Sequence, residues 1–287
     1  MIPSLPRPVW LRASTVAYLI GFLTFLFLPL VVVAVFAFNN APYPAPPWRG
    51  FTLDWFVGNA SLNRTGLFAD SELLGSIGTS CIVAAWVTVL SALVGTANAF
   101  LIERGAFRGK QVLSIMMMAP LVIPGVILGI SILAFASRIA EYADDRFGLE
   151  WDFLRPGLPL VVLGQFSYIA TIATLTISAR LRRFDRTLEE AALNLGASKA
   201  AVFRTILLPY LRPALLGSAA ISFLMSFADF NTTLMLVGAD SPLTVTMYAR
   251  MREGASPVLN AVSLFLMIGS AILALTLLRR KPTAAAA

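Results

Sequence analysis

The sequence predicts an all-α membrane protein with six transmembrane helices and both termini in the cytoplasm. Three observations carry this. The chain is 58% hydrophobic and only 13% charged, with a mean hydropathy of +0.80, where a soluble domain carries about 25% charged residues. Six apolar stretches reach the roughly 20 residues that a helix needs to cross a bilayer. They lie at 14–38, 73–102, 112–137, 157–179, 213–238 and 257–278. Finally, the basic residues are unevenly shared between the loops, in the sense set by the positive-inside rule.

The first stretch follows Arg7 and Arg12. It is too long for the apolar region of a signal peptide and no small-x-small cleavage site follows, so it is read as a retained helix. The segment 39–50, "NNAPYPAPPWRG", is too rich in proline for a regular helix. It reads either as a surface connector or as part of a docking face for an external partner. The second stretch has no charged residue from Leu73 to Ile102 and, at about 1.5 Å per residue, exceeds the hydrocarbon thickness, so it tilts or projects.

In the third stretch Pro120 and Pro124 are four residues apart and predict a kink. Gly125 and Gly129 leave room for a close helix contact. The kink is either local packing or a hinge. The loop 138–156 contains "EYADDRFGLEWD" (141–152), which suits a short interfacial helix. Asn98 and Gln165 are polar residues within spans that suit bonds between helices. Residues 284–287 are four alanines with the look of a disordered tail or a cloning remnant. The whole of 1–287 reads as a single transmembrane domain.

With the N-terminus in the cytoplasm, that side holds fifteen of the 22 Lys and Arg. They are Arg7, Arg12, Arg104, Arg108, Lys110, Arg180, Arg182, Arg183, Arg186, Lys199, Arg204, Arg212, Arg279, Arg280 and Lys281. Acids show the opposite bias. The net charge of +7 is thus the basic side of a membrane protein rather than a nucleic-acid footprint. The chain has one cysteine, Cys81, and no histidine. That excludes an internal disulfide, a His/Cys zinc site and His-dependent nucleophilic triads or dyads.

The loop 181–212 between the fourth and fifth stretches is the most informative segment. Phe184, Leu188, Ala191, Ala192 and Leu195 form one apolar stripe of a helix. Thr187 with Glu190 fits a capping box, with Asp185 as a competing N-cap. Gly196 suits a left-handed C-terminal cap. Ser198 suits the N-cap of a second short helix carrying Val202, Phe203, Ile206 and Leu207, which Pro209 should stop or redirect. Pattern alone allows a connector lying on the membrane or a docking surface.

Glu190-Ala191-Ala192, three residues, Gly196, nine residues and Ile206-Leu207-Leu208-Pro209 resemble the EAA loop of bacterial ABC importer permeases, E-A-A-x3-G-x9-I-x-L-P. Every fixed position matches. "MMMAPLVIPGVILGISIL" (116–133) and "SFADFNTTLMLVG" (226–238) resemble the spermidine/putrescine group of these permeases. The resemblance covers roughly 70–278 and implies the six-span type I importer core. It also implies that Glu190, Ala191, Ala192, Gly196, Phe203, Ile206, Leu208 and Pro209 couple the chain to an ATPase, in the manner of that family's coupling helix.

The partners implied are an ABC ATPase in two copies, a second permease in a heterodimer, a periplasmic solute-binding protein and the lipid of a bacterial inner membrane. The chain itself is expected to bind no cofactor and to be no enzyme. Its nearest approach to a phosphate loop, "GAFRGKQ" (105–111), lacks the G-x4-G spacing and the following Ser or Thr. ATP and Mg are then used by the ATPase.

Asp229 is the only charged residue inside a predicted span, and such a residue marks a functional site by default. Asn231, Thr232 and Thr233 follow it, while Trp86, Phe166, Tyr168 and Phe230 are aromatic candidates for a cation. A carboxylate on the path favours a cationic solute, which agrees with the polyamine, or other organic cation, that the resemblance implies. A bridge to a partner subunit and a helix break facing a wet cleft remain alternatives for Asp229. Other solutes (amino-acid-like, opine or anion) and a stand-alone secondary transporter remain alternatives for the chain. The last should show inverted repeats or several intramembrane charges, and neither is evident.

Overall fold

The computed structural model describes residues 9–254 and 256–279; Arg7, Arg280, Lys281 and the alanine tail lie outside them. Among the described residues twelve α-helices follow one another: α1 (Val9–Phe36), α2 (Asp54–Val57), α3 (Ser71–Arg104), α4 (Lys110–Val122), α5 (Gly125–Phe147), α6 (Leu158–Leu181), α7 (Thr187–Asn194), α8 (Lys199–Val202), α9 (Leu208–Ala228), α10 (Asn231–Leu236), α11 (Leu243–Glu253) and α12 (Val258–Arg279). Among the described residues, five helical runs are long and apolar enough to cross a membrane: Trp10–Phe36, Ser71–Arg104, Gly125–Phe147, Leu158–Leu181 and Lys199–Ala228. The sixth predicted stretch lies in α12, where Val258–Ile272 is a shorter apolar helix.

The described residues divide into two compact units, one within Met1–Ser71 and Arg250–Ala271, the other within Glu72–Ala249 and Ile272–Ala287. In the first, α1 exposes large apolar side chains around its whole circumference, from Trp10 to Val35. The proline-rich 39–50 forms no helix. It is folded back by Asn39, whose Oδ1 accepts from the Arg49 amide at 2.8 Å while its Nδ2 donates to the Pro47 carbonyl at 3.2 Å. The buried Trp55 indole donates to the Asn39 carbonyl at 2.8 Å. Arg64 lies 4.8 Å over that ring and pairs with Asp54 at 3.0 Å. Asp70 is held by both terminal nitrogens of Arg250.

The second unit is organised around α6. Its core joins Val83 and Val87 of α3, Ala136 of α5, Leu160, Val161 and Ile169 of α6, and Leu236 of α10. At Gly95, α3 comes so close to α6 that an added Cβ would sit 2.8 Å from the Ala173 Cβ and 3.0 Å from the Thr174 amide nitrogen. Ser80 ties α3 to α11 by accepting the Leu243 amide at 2.8 Å.

Four expected helices are corrected. The stretch 112–137 is not one kinked span. It is cut between α4 and α5, because the residue before a proline is pushed out of the helical region. Ile123 adopts φ −77°, ψ 127°, and Pro124 follows with φ −55°, ψ 134°. The helix that starts at Gly125 then absorbs most of the expected interfacial segment and runs to Phe147. It stops at Gly148, φ +61°, whose amide bonds the Asp144 carbonyl at 2.8 Å.

The stretch 213–238 is likewise interrupted, by extended backbone at Asp229 (φ −69°, ψ 125°), and resumes as the short α10. Pro209 does not stop the second loop helix. The chain stays helical from Lys199 to Ala228, with one wide turn at Phe203–Leu207 in which the Leu208 amide bonds the Phe203 carbonyl. A widened turn just before a proline relieves the clash of its ring with the preceding turn.

Candidate functional site

Two regions of the second unit hold the residues singled out by sequence. The first is the loop 181–212. Helix α7 begins not with the Thr187–Glu190 capping box but with Asp185, whose Oδ1 accepts the Thr187 amide at 3.0 Å and the Thr187 hydroxyl at 2.8 Å. Those bonds hold the Asp185 carboxyl below its ordinary pKa. Asp185 won because an aspartate two residues before the amide reaches it without help from the helix.

The helix ends as expected. Gly196 has φ +86°, its amide bonds the Leu193 carbonyl at 2.9 Å, and the Ala197 amide bonds the Ala192 carbonyl at 3.0 Å. These are the paired bonds of a Schellman cap, for which glycine suits best. Ser198 Oγ then accepts the Ala201 amide at 3.2 Å and starts α8.

The motif residues divide by direction. Ile206 packs on the cluster of Leu181, Phe184, Leu207 and Leu211, and Phe203 faces Phe100 at 6.0 Å between ring centroids. Glu190, Ala191, Gly196, Leu208 and Pro209 are exposed, and Ala192 is half-buried. Of the predicted apolar stripe, Phe184 is buried, but Leu188 is 53% exposed and Leu195 is 89% exposed. No heavy atom lies within 4 Å of where a Gly196 Cβ would be. The loop is therefore anchored on one side and open, partly apolar and small-residued on the other.

Sequence reading missed the anchors. Arg104, at the end of α3, pairs with Glu189 at 2.5 Å. Glu103 accepts two bonds from Arg182, at 2.8 and 3.2 Å. The partners lie 79 to 85 positions apart in the chain, and no periodicity links such charges.

The second region lies at the gap between α9 and α10. Asp229 Oδ1 accepts the Tyr168 hydroxyl at 3.0 Å, and Oδ2 accepts the Thr233 amide at 2.9 Å and its hydroxyl at 2.8 Å. Gln165, 1% exposed, donates to Thr233 Oγ1 at 2.8 Å and accepts from Ser226. Among the described residues no Lys or Arg forms an ion pair with Asp229. Within the described residues its carboxylate is held by hydrogen bonds alone.

Glycines hold α10 in place. A Cβ on Gly125 would lie 3.0 Å from the Asn231 Cβ, one on Gly129 2.8 Å from the Met235 Cβ, and one on Gly164 2.2 Å from Leu236 Cδ1. Gly125 and Gly129 thus allow close contact as expected, but with a short helix that sequence did not foresee.

Tyr168, Asp229 and Thr233 are brought together directly. Thr232 is fully buried with an unpartnered hydroxyl, and Asn231 is exposed. Phe230 meets Tyr248 in a tilted ring contact, 4.9 Å between centroids. Trp86, 59% exposed, sits in an apolar groove with Ile82, Phe153, Leu158 and Leu163, none of which belongs to the Asp229 cluster.

Comparison with known proteins supplies the family. Residues 91–280 match the family described as "Binding-protein-dependent transport system inner membrane component". The chain is 30% identical to the putrescine transport system permease protein PotI of Escherichia coli over 254 residues, 88% of this chain and 84% of the relative. It is 26% identical to the spermidine/putrescine transport system permease protein PotC of Haemophilus influenzae over 253 residues, 88% and 90% of the two chains. Its fold is shared with a chain of a bacterial ABC transporter that imports the acidic polysaccharide alginate, at a TM-score of 0.76 and 17% identity over 96% of both chains. The chain is thus a transport subunit and no enzyme, a multi-pass permease of the type I ABC importers, and it belongs to the binding-protein-dependent transport system inner membrane component family.

Proposed function

We propose that this permease forms the translocation path for a polyamine, or another small organic cation, in an ATP-driven importer of a bacterial inner membrane. It works with a separate ABC ATPase in two copies, which binds ATP and Mg, and with a second permease in a heterodimer. A periplasmic binding protein delivers the solute. Six helices cross the membrane with both termini inside, so the loop 181–212 meets the ATPase in the cytoplasm.

The observation that carries the choice of solute is the Asp229 carboxylate. It has hydrogen bonds on both oxygens and no cation among the described residues. A charge left unneutralised in a span is costly, and a cationic solute is the partner that offsets the cost. Likeness to the putrescine permease supports the same choice. Tyr168, fixed on that carboxylate, and the polar Asn231 and Thr232 beside it serve as polar contacts on the path, with Trp86, in its separate apolar groove, as an aromatic contact elsewhere along it.

The open face around Glu190, Ala191, Ala192 and Gly196 supports docking of the ATPase. Ile206, packed on the bundle, and Phe203, half-exposed but in ring contact with Phe100, carry the movement inward, and Leu208 and Pro209 open α9 just after the wide turn. The test is uptake of radiolabelled putrescine by the assembled importer, with and without ATP. ATP-dependent uptake that excess spermidine inhibits supports the reading. ATP-dependent uptake of anions but no cation overturns the solute.

A further inference from the structure

We propose that two crossed ion pairs, Glu103–Arg182 and Arg104–Glu189, lock the end of α3 to the coupling loop, and that Glu103 and Arg104 are positioning residues for energy coupling. The inference rests on the reading of 181–212 as the ATPase-docking loop.

Glu103 and Arg104 are consecutive, of opposite sign, and lie on the last turn of α3. Each finds its counter-charge on the same neighbouring segment: Arg182 just past α6, and Glu189 in the first turn of α7. The order of signs makes the lock specific in register. A shift that set Glu103 against Glu189, or Arg104 against Arg182, would place like charges together, a repulsion that discriminates against the wrong arrangement.

The inner pair is built more firmly than a surface bridge. The Arg104 and Glu189 side chains are 23% and 16% exposed. The Arg104 guanidinium lies 5.7 Å from the centroids of both Phe100 and Phe184. Phe184 packs edge-on against Tyr210 at 4.9 Å, and Arg180 lies 4.3 Å over the Tyr210 ring. Arg186 adds a bond to the Glu103 carbonyl at 3.1 Å. A planar guanidinium that is paired and flanked by rings holds one geometry, which lysine would not reproduce.

Glu189 immediately precedes Glu190, whose side of α7 is open. One helix therefore presents Glu190 outward and uses the preceding Glu189 to grip α3. Displacement of α7 by a docked ATPase then moves α3 with it, and α3 runs 34 residues from this end through its close contact with α6 at Gly95.

The test uses the whole importer and compares Arg104→Ala, Glu189→Ala and the exchange Arg104→Glu with Glu189→Arg. The single variants should keep the ATPase bound while solute imported per ATP falls about tenfold, within the usual range of a coupling free energy. The exchange should recover at least half of the native ratio. Native coupling in the single variants, or an exchange no better than they are, overturns the proposal.

Should the single variants fail to assemble, spin labels at Phe107→Cys and Asn194→Cys, with Cys81→Ser, read the lock in the otherwise native chain. Their separation should not change between nucleotide-free and ATP-bound states. A change on the scale of one helical turn, about 5 Å, overturns the lock. Failure of the docking reading looks different: a bulky residue at Gly196 would then leave ATPase binding intact, whatever the Arg104 variants do.

Discussion

The Tyr168 hydroxyl donates to Asp229 Oδ1 at 3.0 Å, so a side chain 61 positions earlier in α6 fixes the carboxylate at the gap between α9 and α10. Thr233 fixes the other oxygen. The charge is thus presented in one orientation, beside a break in the helix rather than on a continuous one. On the proposed path through the membrane, a carboxylate without a cation is costly, and a cationic solute would offset that cost.

Tyr168→Phe removes one donor and keeps the charge. Loss of a hydrogen bond to a charged group costs about 1.5–3 kcal/mol. The expected outcome is a lower melting temperature in detergent, with cation uptake reduced less than by neutralising Asp229. Uptake lost as completely as in Asp229→Asn would mean that the hydroxyl itself is required for transport.

Gly196 separates the turn from the proposed docking face. Its φ of +86° suits asparagine better than other side chains, and open space surrounds it. Gly196→Asn should therefore keep the turn and most of the ATPase binding, while Gly196→Trp and Glu190→Lys should lose co-purification of the ATPase or stop transport. Full assembly and uptake in both Gly196→Trp and Glu190→Lys would remove the loop from coupling.

Two glycines in long helices should respond in opposite ways. Gly95→Val drives a side chain into Ala173 and the backbone of α6, and overpacking of this kind costs about 1–3 kcal/mol. Gly217→Ala meets nothing within 4 Å and should be neutral or stabilise the helix by up to about 1 kcal/mol. Thermal unfolding of the purified permease, read side by side, checks both.

Asp185 supplies a pH test outside the membrane. Its folded pKa lies below the ordinary 3.8 because it accepts the Thr187 amide and hydroxyl. A depressed carboxylate contributes fully above its unfolded pKa and loses that contribution as pH falls through the folded value. Protection of α7 from hydrogen exchange, corrected for intrinsic rate, should therefore hold constant from neutral pH to pH 5 or so. Asp185→Ala should lower it about fivefold throughout. A fall in the native chain within that window would contradict the assigned cap.

The long apolar helices, the Gly196 and Ser198 caps and the motif itself were legible because each depends on residues near one another in sequence. The breaks were harder to read. Pro124 announced a disturbance, but hydropathy cannot distinguish a kink from a cut, since both halves are equally apolar. At Asp229 there is no Pro or Gly to mark the interruption. What holds it open is Tyr168 and Gln165 from α6, and the glycine-lined slot for α10 on α5 and α6. The Arg104–Glu189 and Glu103–Arg182 pairs were invisible for the same reason: charge near a span end signals orientation, while its partner is chosen by the packing of distant helices.

The most direct measurement is ATP-driven accumulation of radiolabelled putrescine in proteoliposomes holding the complete importer, native or with Asp229→Asn. The native importer should accumulate putrescine, and the variant should retain its ATPase but lose at least about 90% of uptake, as expected when a charged contact worth roughly 1.4 kcal/mol or more is removed. Uptake by Asp229→Asn at the native rate would contradict a cation path through this carboxylate.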